Sequence, residues 1–373
     1  MIHMELPKMS RRDFIAVGAA ALSTAALAQP APTSQPADRK LGWALVGLGN
    51  LSQGQLLPAL TKTKHARLAG LVSGHPDKAK KLAEKCKLDA KHIYSYDNYD
   101  QIASDPEIDV IYVVLPNGMH AEYTNRAAKA GKHVFSEKPM ENTAEKCQTM
   151  IDACKLAKRM LGIGYRMQYE PHLNEARRII AAGELGKVKS IESAFGFNIG
   201  PGVWRLDKKL AGGGPLMDVG IYCLNSTRYA LGEEPTEVTA TIPDAGGDAR
   251  FKEVEAAMDF TLTFPSGAVA TCKTSYREFV GNKLRIVCEG GVLHLEPAFS
   301  YGGIMLGIQH GKDRPTTFNA PRADQFAAEI DDFSQCILEN KPTRTPGEEG
   351  MRDVAIMQAL YKSAADKKPV ALS

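Results

Sequence analysis

Two short stretches carry residue types that could move a proton and a hydride together. "FSEKPM" sets Lys138 at the end of an apolar run, just ahead of Pro139. "LAGGGPLMDVGIYCLN" places Asp218 four residues before Tyr222. On a helix those two share a face. A phenol ionises at about pH 10, and a cation beside it favours the anion. Lys138 would put positive charge beside a reacting oxygen. Tyr222 would exchange a proton with a hydroxyl while hydride moves. A plainer account also fits: Asp218 caps a helix after Gly214-Pro215, Tyr222 packs in a core, and Lys138 is a surface lysine at a strand exit. The segments alone leave both open.

A hydride needs a carrier, and "LGWALVGLGN" supplies the start of a site for one. Gly47-Leu48-Gly49 follows an apolar strand, and Asn50 and Leu51 open the next helix. Gly47 permits a tight turn, and Gly49 lets backbone approach a pyrophosphate on the helix N-terminus. Ser52 stands where the third fingerprint glycine belongs. The second strand ends "LVSGHPDKAK". An NAD binder keeps an acid there for the ribose hydroxyls, but this chain has Ser73, Gly74, His75 and then Lys78. A 2′-phosphate could take the Ser73 hydroxyl and the Lys78 charge, so the expected cofactor is NADP. Lys78 also fits an ordinary solvated lysine.

The elements that must position these groups alternate. Strands in "LGWALVGLG", "RLAGLVSG", "IDVIYVVLP", "KHVFSEKP" and "MLGIGYR" are separated by helical stretches. That pattern predicts an α/β domain with a doubly wound parallel sheet over 41–164. Ligands lie outside the carboxyl ends of such strands, where "LPNGMH" (Leu115–His120) and "SEKP" fall. Past 164 come a helix, a run of strands with Gly turns, and a closing helix over about 347–366. This predicts an α+β domain over 165–373 with a mainly antiparallel sheet.

Composition bounds the rest. The chain has 373 residues, a net charge of +3 and 24% charged residues. That excludes a nucleic-acid-binding footprint. The seven cysteines are scattered, which predicts buried unpaired thiols. The nine histidines show no H-E-x-x-H or H-x-H spacing, so no metal site is expected. Residues 1–28 read as a signal peptide: Arg11-Arg12, an uncharged stretch from Phe14 to Ala28, and Ala26-Leu27-Ala28 as a cleavage pattern. The stretch is too short to span a bilayer, which takes roughly 20 apolar residues. It predicts export to the periplasm through the twin-arginine machinery, with no membrane association after cleavage. A Pro-rich arm covers 29–40.

Together "VGLGN", "LPNGMHAEY", "AGKHVFSEKPM", "GYRMQYEP" and "GGGPLMDVGIYCLN" resemble the family of glucose–fructose oxidoreductase and inositol dehydrogenase. The match runs from about Leu41 to near the end. It is closest to the exported glucose–fructose oxidoreductase branch. The resemblance implies a Rossmann domain and a large open sheet whose exposed face joins subunits into a homo-oligomer. It implies that Lys138, Asp218 and Tyr222 are catalytic and touch the substrate. It also implies that Leu115, Pro116, Asn117, His120 and Glu137 line the cofactor. Arg166, Trp204 and Arg205 match cofactor and pocket positions, Tyr96 lies near the adenine, and Tyr301 borders the sugar. Many relatives have His in place of Tyr222. The long arm that can embrace a neighbouring subunit in that branch is reduced here to 29–40.

An exported dinucleotide enzyme meets no pool that recycles its cofactor. Two designs escape this. A tightly held NADP can be reset by a second sugar, one aldose becoming a lactone and a second sugar an alditol. Alternatively, the cofactor can be oxidised and reduced within one reaction, as in NAD-dependent glycoside hydrolases of similar fold. A simple sugar dehydrogenase and a non-catalytic sugar-binding protein are the other readings. The retained Lys138, Asp218 and Tyr222 argue against the last.

Overall fold

The computed structural model describes residues 39–372. The signal peptide over 1–28 and nearly all of the arm over 29–40 lie outside the described residues.

Six parallel strands form the first sheet: β1 (Leu41–Val46), β2 (Ala66–Val72), β3 (Ile93–Tyr94), β4 (Val110–Val113), β5 (His133–Glu137) and β6 (Leu161–Gly164). Their order is β3-β2-β1-β4-β5-β6, the doubly wound arrangement of a Rossmann fold. Strands β1 and β4 are buried at every position, as expected of a sheet covered on both faces. The covering helices are α1 (Leu57–Leu60), α2 (Pro76–Cys86), α3 (His120–Lys129) and α4 (Ala144–Leu156). Two-residue β3 was not expected, because Ile93-Tyr94 is too short to show a period.

After α5 (Pro171–Ala181) the second sheet begins with β7 (Val188–Gly196). Helices α6 (Lys208–Ala211) and α7 (Ile221–Leu231) follow, then β8 (Glu237–Thr241), β9 (Ala257–Thr263), β10 (Val269–Ser275), β11 (Asn282–Cys288), β12 (Gly291–Leu295), β13 (Leu306–His310) and β14 (Thr316–Phe318). The order is β14-β13-β12-β11-β7-β10-β9-β8-β15, where β15 is Val370–Ala371. Every pair is antiparallel except β7 with β10. Inward residues such as Ile191, Phe260 and Leu284 are buried with Leu224 of α7 in one core. The other face carries Glu192, Thr239, Thr261, Thr271 and Lys273 around a shallow concavity.

Two C-terminal helices return to the first sheet. Helix α8 (Gln325–Glu339) was not expected from the sequence. Its Phe326, Ile330 and Phe333 share a core with Trp43, Tyr112 and Phe135, and Ser334 Oγ accepts from Trp43 Nε1 at 3.0 Å. Helix α9 (Gly347–Asp366) packs so closely that a Cβ on Gly350 would lie 2.9 Å from Met140. Division of the chain at 164 therefore does not divide its cores. All seven cysteines are free. Five are buried as expected, while Cys86 and Cys336 are half-buried.

Candidate active site

At the carboxyl end of β1 the chain turns through Gly47, whose φ is +93°. A Cβ there would lie 2.3 Å from the Val114 carbonyl, so only glycine fits. Gly49 differs: a Cβ there meets no protein atom within 4 Å. It opens onto space at the N-terminus of the helix begun by Asn50 and Leu51, a cradle fit for a pyrophosphate. Ser52 is fully buried and its Oγ donates to the Gly47 carbonyl at 2.5 Å. A hydroxyl thus ties the turn where the third glycine is missing, and the helix starts with a π-turn over Ser52–Leu56.

Along the same edge, Ser73 follows β2 and its Oγ accepts from the His75 amide at 3.0 Å. Its own proton is not used in that bond. Lys78 stands exposed on the first turns of α2. Asp77, also in the first turn, is the nearest acid in sequence. The Tyr96 ring closes on Gly74, where a Cβ would lie 2.9 Å away, and packs edge-on against Tyr123 at 5.3 Å. These groups fit the adenosine half of a dinucleotide.

Beyond β4, Leu115 and Pro116 lead into a short turn over Asn117–Met119. Asn117 Nδ2 donates to the Ala211 carbonyl at 2.8 Å, which ties this turn to α6. His120 departs from expectation. It has no exposed surface, and its ring nitrogens face the carbonyls of Leu115 at 2.8 Å and Pro139 at 3.0 Å. It braces two strand ends and offers a cofactor no exposed surface. Glu137 also turns inward. Its Oε1 accepts from the Tyr112 hydroxyl at 2.7 Å, and that hydroxyl lies 3.2 Å from Glu329. Burial pushes the Glu137 carboxyl up.

Lys138 joins the two domains. Its Nζ donates to the Asp218 carbonyl at 2.8 Å and lies 3.5 Å from Oδ1. It also lies 4.6 Å from the centre of the Tyr222 ring. Asp218 sits in a π-turn, Leu216–Gly220, that runs into α7. The expected face shared by Asp218 and Tyr222 is thus built through Lys138, which touches both. Asp218 Oδ2 accepts from Arg205 Nε at 2.9 Å and from the Tyr276 hydroxyl at 2.7 Å. Burial works to raise this carboxyl, but Arg205, Lys138 and Tyr276 overcome it and hold it at about 2. Trp204 lies against the Arg205 guanidinium, 4.6 Å from ring centre to carbon.

Tyr222 is clasped from the other side by Arg166, whose Nε donates to its hydroxyl at 3.1 Å. The guanidinium lies between the Tyr222 and Tyr301 rings, 4.7 Å from each centre. It is fixed by the carbonyls of Phe299 at 2.6 Å and Ser300 at 3.2 Å and by Gln325. Arginine only donates. The Tyr222 proton therefore points away from it, and the phenolate would keep a partner. Tyr301, the residue expected to border the sugar, is 54% exposed beside this clasp.

The sequence reading missed Tyr276 and Gln325. Tyr276 directly follows β10, 58 residues from Asp218, and no local pattern links them. Asp324, which caps α8, was a usable signal for Gln325.

A dinucleotide cradle at one edge of a parallel sheet, with a lysine, a carboxylate and a clasped phenol beside it, defines an NAD(P)-binding oxidoreductase. Residues 41–165 match the oxidoreductase family with an NAD-binding Rossmann fold, and residues 173–294 match the GFO/IDH/MocA C-terminal domain. The chain belongs to the GFO/IDH/MocA oxidoreductase family. It is similar to the aldose–aldose oxidoreductase of Caulobacter crescentus, solved with glycerol, at 42% identity and a TM-score of 0.87 over 90% of this chain and 100% of that one. The D-xylose 1-dehydrogenase [NADP(+)] of Haloarcula marismortui is 28% identical over 90% of this chain and 94% of its own. The inositol 2-dehydrogenase of Rhizobium meliloti is 26% identical over 89% and 99%.

Proposed function

We propose that this protein is an exported sugar oxidoreductase that holds NADP tightly and resets it with a second sugar. One aldose is oxidised at C1 to its lactone. A ketose or second aldose is then reduced to its alditol in the same pocket. The observation that carries the chemistry is the Tyr222 hydroxyl, bonded by Arg166 with Lys138 over its ring. Likeness to the Caulobacter aldose–aldose oxidoreductase supports the substrate class. The NADP preference rests on Ser73 and Lys78 and on the NADP(+)-linked xylose dehydrogenase relative. The open face of the second sheet is the surface through which copies would associate.

When bound, the nicotinamide supplies the hydride acceptor and donor. Gly49 and the helix N-terminus would hold its pyrophosphate, and Ser73, Lys78 and Tyr96 its adenosine end. Tyr222 takes the C1 hydroxyl proton in the first half-reaction and returns a proton to a carbonyl oxygen in the second. Lys138 and Arg166 stabilise the phenolate that accepts the first proton and is restored when the second is given up. Asp218 stays ionised at neutral pH and fixes the Lys138 ammonium.

Tyr222→Phe tests this directly. It removes the proton carrier and keeps the ring. Turnover should fall by ~10²–10⁴, the range for a general acid–base, while bound nucleotide is retained. Turnover close to that of the unaltered protein would hand the role to another group.

A further inference from the structure

Arg166 brings positive charge onto the Tyr222 oxygen, and none of the groups it bonds cancels that charge. Its acceptors among the described residues are all neutral: the Tyr222 hydroxyl at 3.1 Å, the carbonyls of Phe299 at 2.6 Å and Ser300 at 3.2 Å, the Met167 sulfur at 3.4 Å and the Gln325 amide oxygen. The buried carboxyls of Glu137 and Glu329 feel the guanidinium charge, but both turn to the Tyr112 hydroxyl.

Gln325, the first residue of α8, is the only side-chain amide in this set, and its orientation is forced. Arginine only donates, so Oε1 faces Arg166 and Nε2 faces the other way. Nε2 has two hydrogens, and each has an acceptor: Glu170 Oε2 at 2.6 Å and the Ser300 carbonyl at 3.3 Å. Gln325 and Glu170 are both buried. Glu170 is anchored in turn. It caps α5, its Oε1 accepting from the His172 amide at 3.3 Å, and His172 Nδ1 lies 2.6 Å from the same oxygen. The start of a helix favours a carboxylate. The His172 ring meets Phe318 of β14 edge-on at 5.9 Å. An unbroken chain of bonds therefore runs from the start of α5, through Gln325, to Arg166 and the Tyr222 oxygen.

We propose that Gln325 is a positioning residue for the proton transfer: anchored on Glu170, it aims Arg166 at the Tyr222 oxygen, and as a neutral amide it keeps the anchor's charge off the guanidinium. The inference rests on the reading of Tyr222 as the proton carrier. A carboxylate in place of Gln325 would pair directly with Arg166 and cancel charge that the phenolate needs, since opposite charges act most strongly at contact. It would also face Glu170 acid to acid. An apolar side chain would leave Arg166 short of an acceptor and the Glu170 oxygen without its donor, both inside the protein. The amide offers an acceptor to Arg166 and a donor to Glu170 at once.

Two variants test this in the holoenzyme, with nicotinamide reduction by an aldose followed in a single turnover. Gln325→Met keeps the length and removes both contacts. The rate should fall about 10-fold, less than on losing the proton carrier itself. Bound nucleotide should be retained, and the aldose concentration for half-maximal rate should change far less than the rate. Gln325→Met should cost nothing further once Arg166→Met is present, because its effect runs through Arg166. An unaltered rate, or the same loss in both backgrounds, would overturn the proposal. Gln325→Glu keeps an acceptor on Arg166 and adds an acid. Its rate, divided by that of the unaltered protein, should fall as pH rises, because the new carboxyl loses its proton and cancels the guanidinium charge. The other titratable groups around Arg166 are common to both proteins: Glu137, Glu329, Glu170, Tyr222 and Tyr301, with His172 behind Glu170. A ratio near one across the range, or one that rises with pH, would overturn the proposal even if Gln325→Met fails to fold. Tyr222→Phe separates the two claims. Unaltered turnover there rejects the Tyr222 assignment itself, whereas a slow Tyr222→Phe beside an unaffected Gln325→Met rejects only positioning by Gln325.

Discussion

Tyr222 is held by two cations that act on different parts of it. Arg166 donates to the oxygen, while Lys138 faces the ring and is itself pinned by Asp218. Asp218 is in turn fixed by Arg205 and Tyr276. The phenol's surroundings are thus set three residues deep before any sugar arrives, which is the preorganisation that transition-state stabilisation needs. The same logic applies at the adenosine end, where a single hydroxyl is the candidate discriminator. Ser73→Asp would set a carboxylate where a 2′-phosphate is proposed to lie. It should weaken NADP binding more than NAD binding, as read by titration of the nucleotide-stripped protein. An unchanged preference would place the phosphate elsewhere.

At the scale of elements, the turn after β1 separates folding from binding. Gly47→Ala meets backbone at a positive φ and should destabilise by more than about 1 kcal/mol, since alanine cannot adopt that conformation without strain. Gly49→Ala puts a methyl into open space. It should leave the melting temperature of nucleotide-free protein unchanged and yet sharply weaken nucleotide binding. Equal binding by both proteins would remove the pyrophosphate from this cradle. This turn was legible in the sequence because strand, glycines and helix are contiguous there. Lys138, Asp218 and Tyr222 were legible as residue types, but the lysine that couples the other two became visible only in three dimensions. Tyr276 and the inward turn of His120 were not legible, since each depends on contacts between distant segments. Helix α8 was legible in principle: Asp324 caps it, and Phe326, Ile330 and Phe333 recur at helical spacing. Nothing in that spacing says that it covers the parallel sheet of the other domain.

For the whole molecule, the proposed function joins residues 1–28, read from the sequence as an export leader, to a fold that holds a nucleotide. Replacing Arg11 and Arg12 by Lys should leave uncleaved precursor in the cytoplasm, as followed by fractionation. Processed protein in the periplasm would show that the address was misread. A nucleotide enzyme outside the cytoplasm can turn over only if it renews its own cofactor, so internal recycling is the central claim. The most direct measurement uses purified protein, dialysed and given no free nucleotide, with the near-ultraviolet absorbance of nicotinamide followed as sugars are added. An aldose that cannot itself act as acceptor should reduce the bound cofactor once and stall. A second sugar should then reoxidise it and restart lactone formation, with one alditol made per lactone. Turnover that demands a stoichiometric supply of free NADP and yields no alditol would contradict the account and leave an ordinary dehydrogenase. Release of sugar from a glycoside without net oxidation would contradict it in favour of a hydrolase.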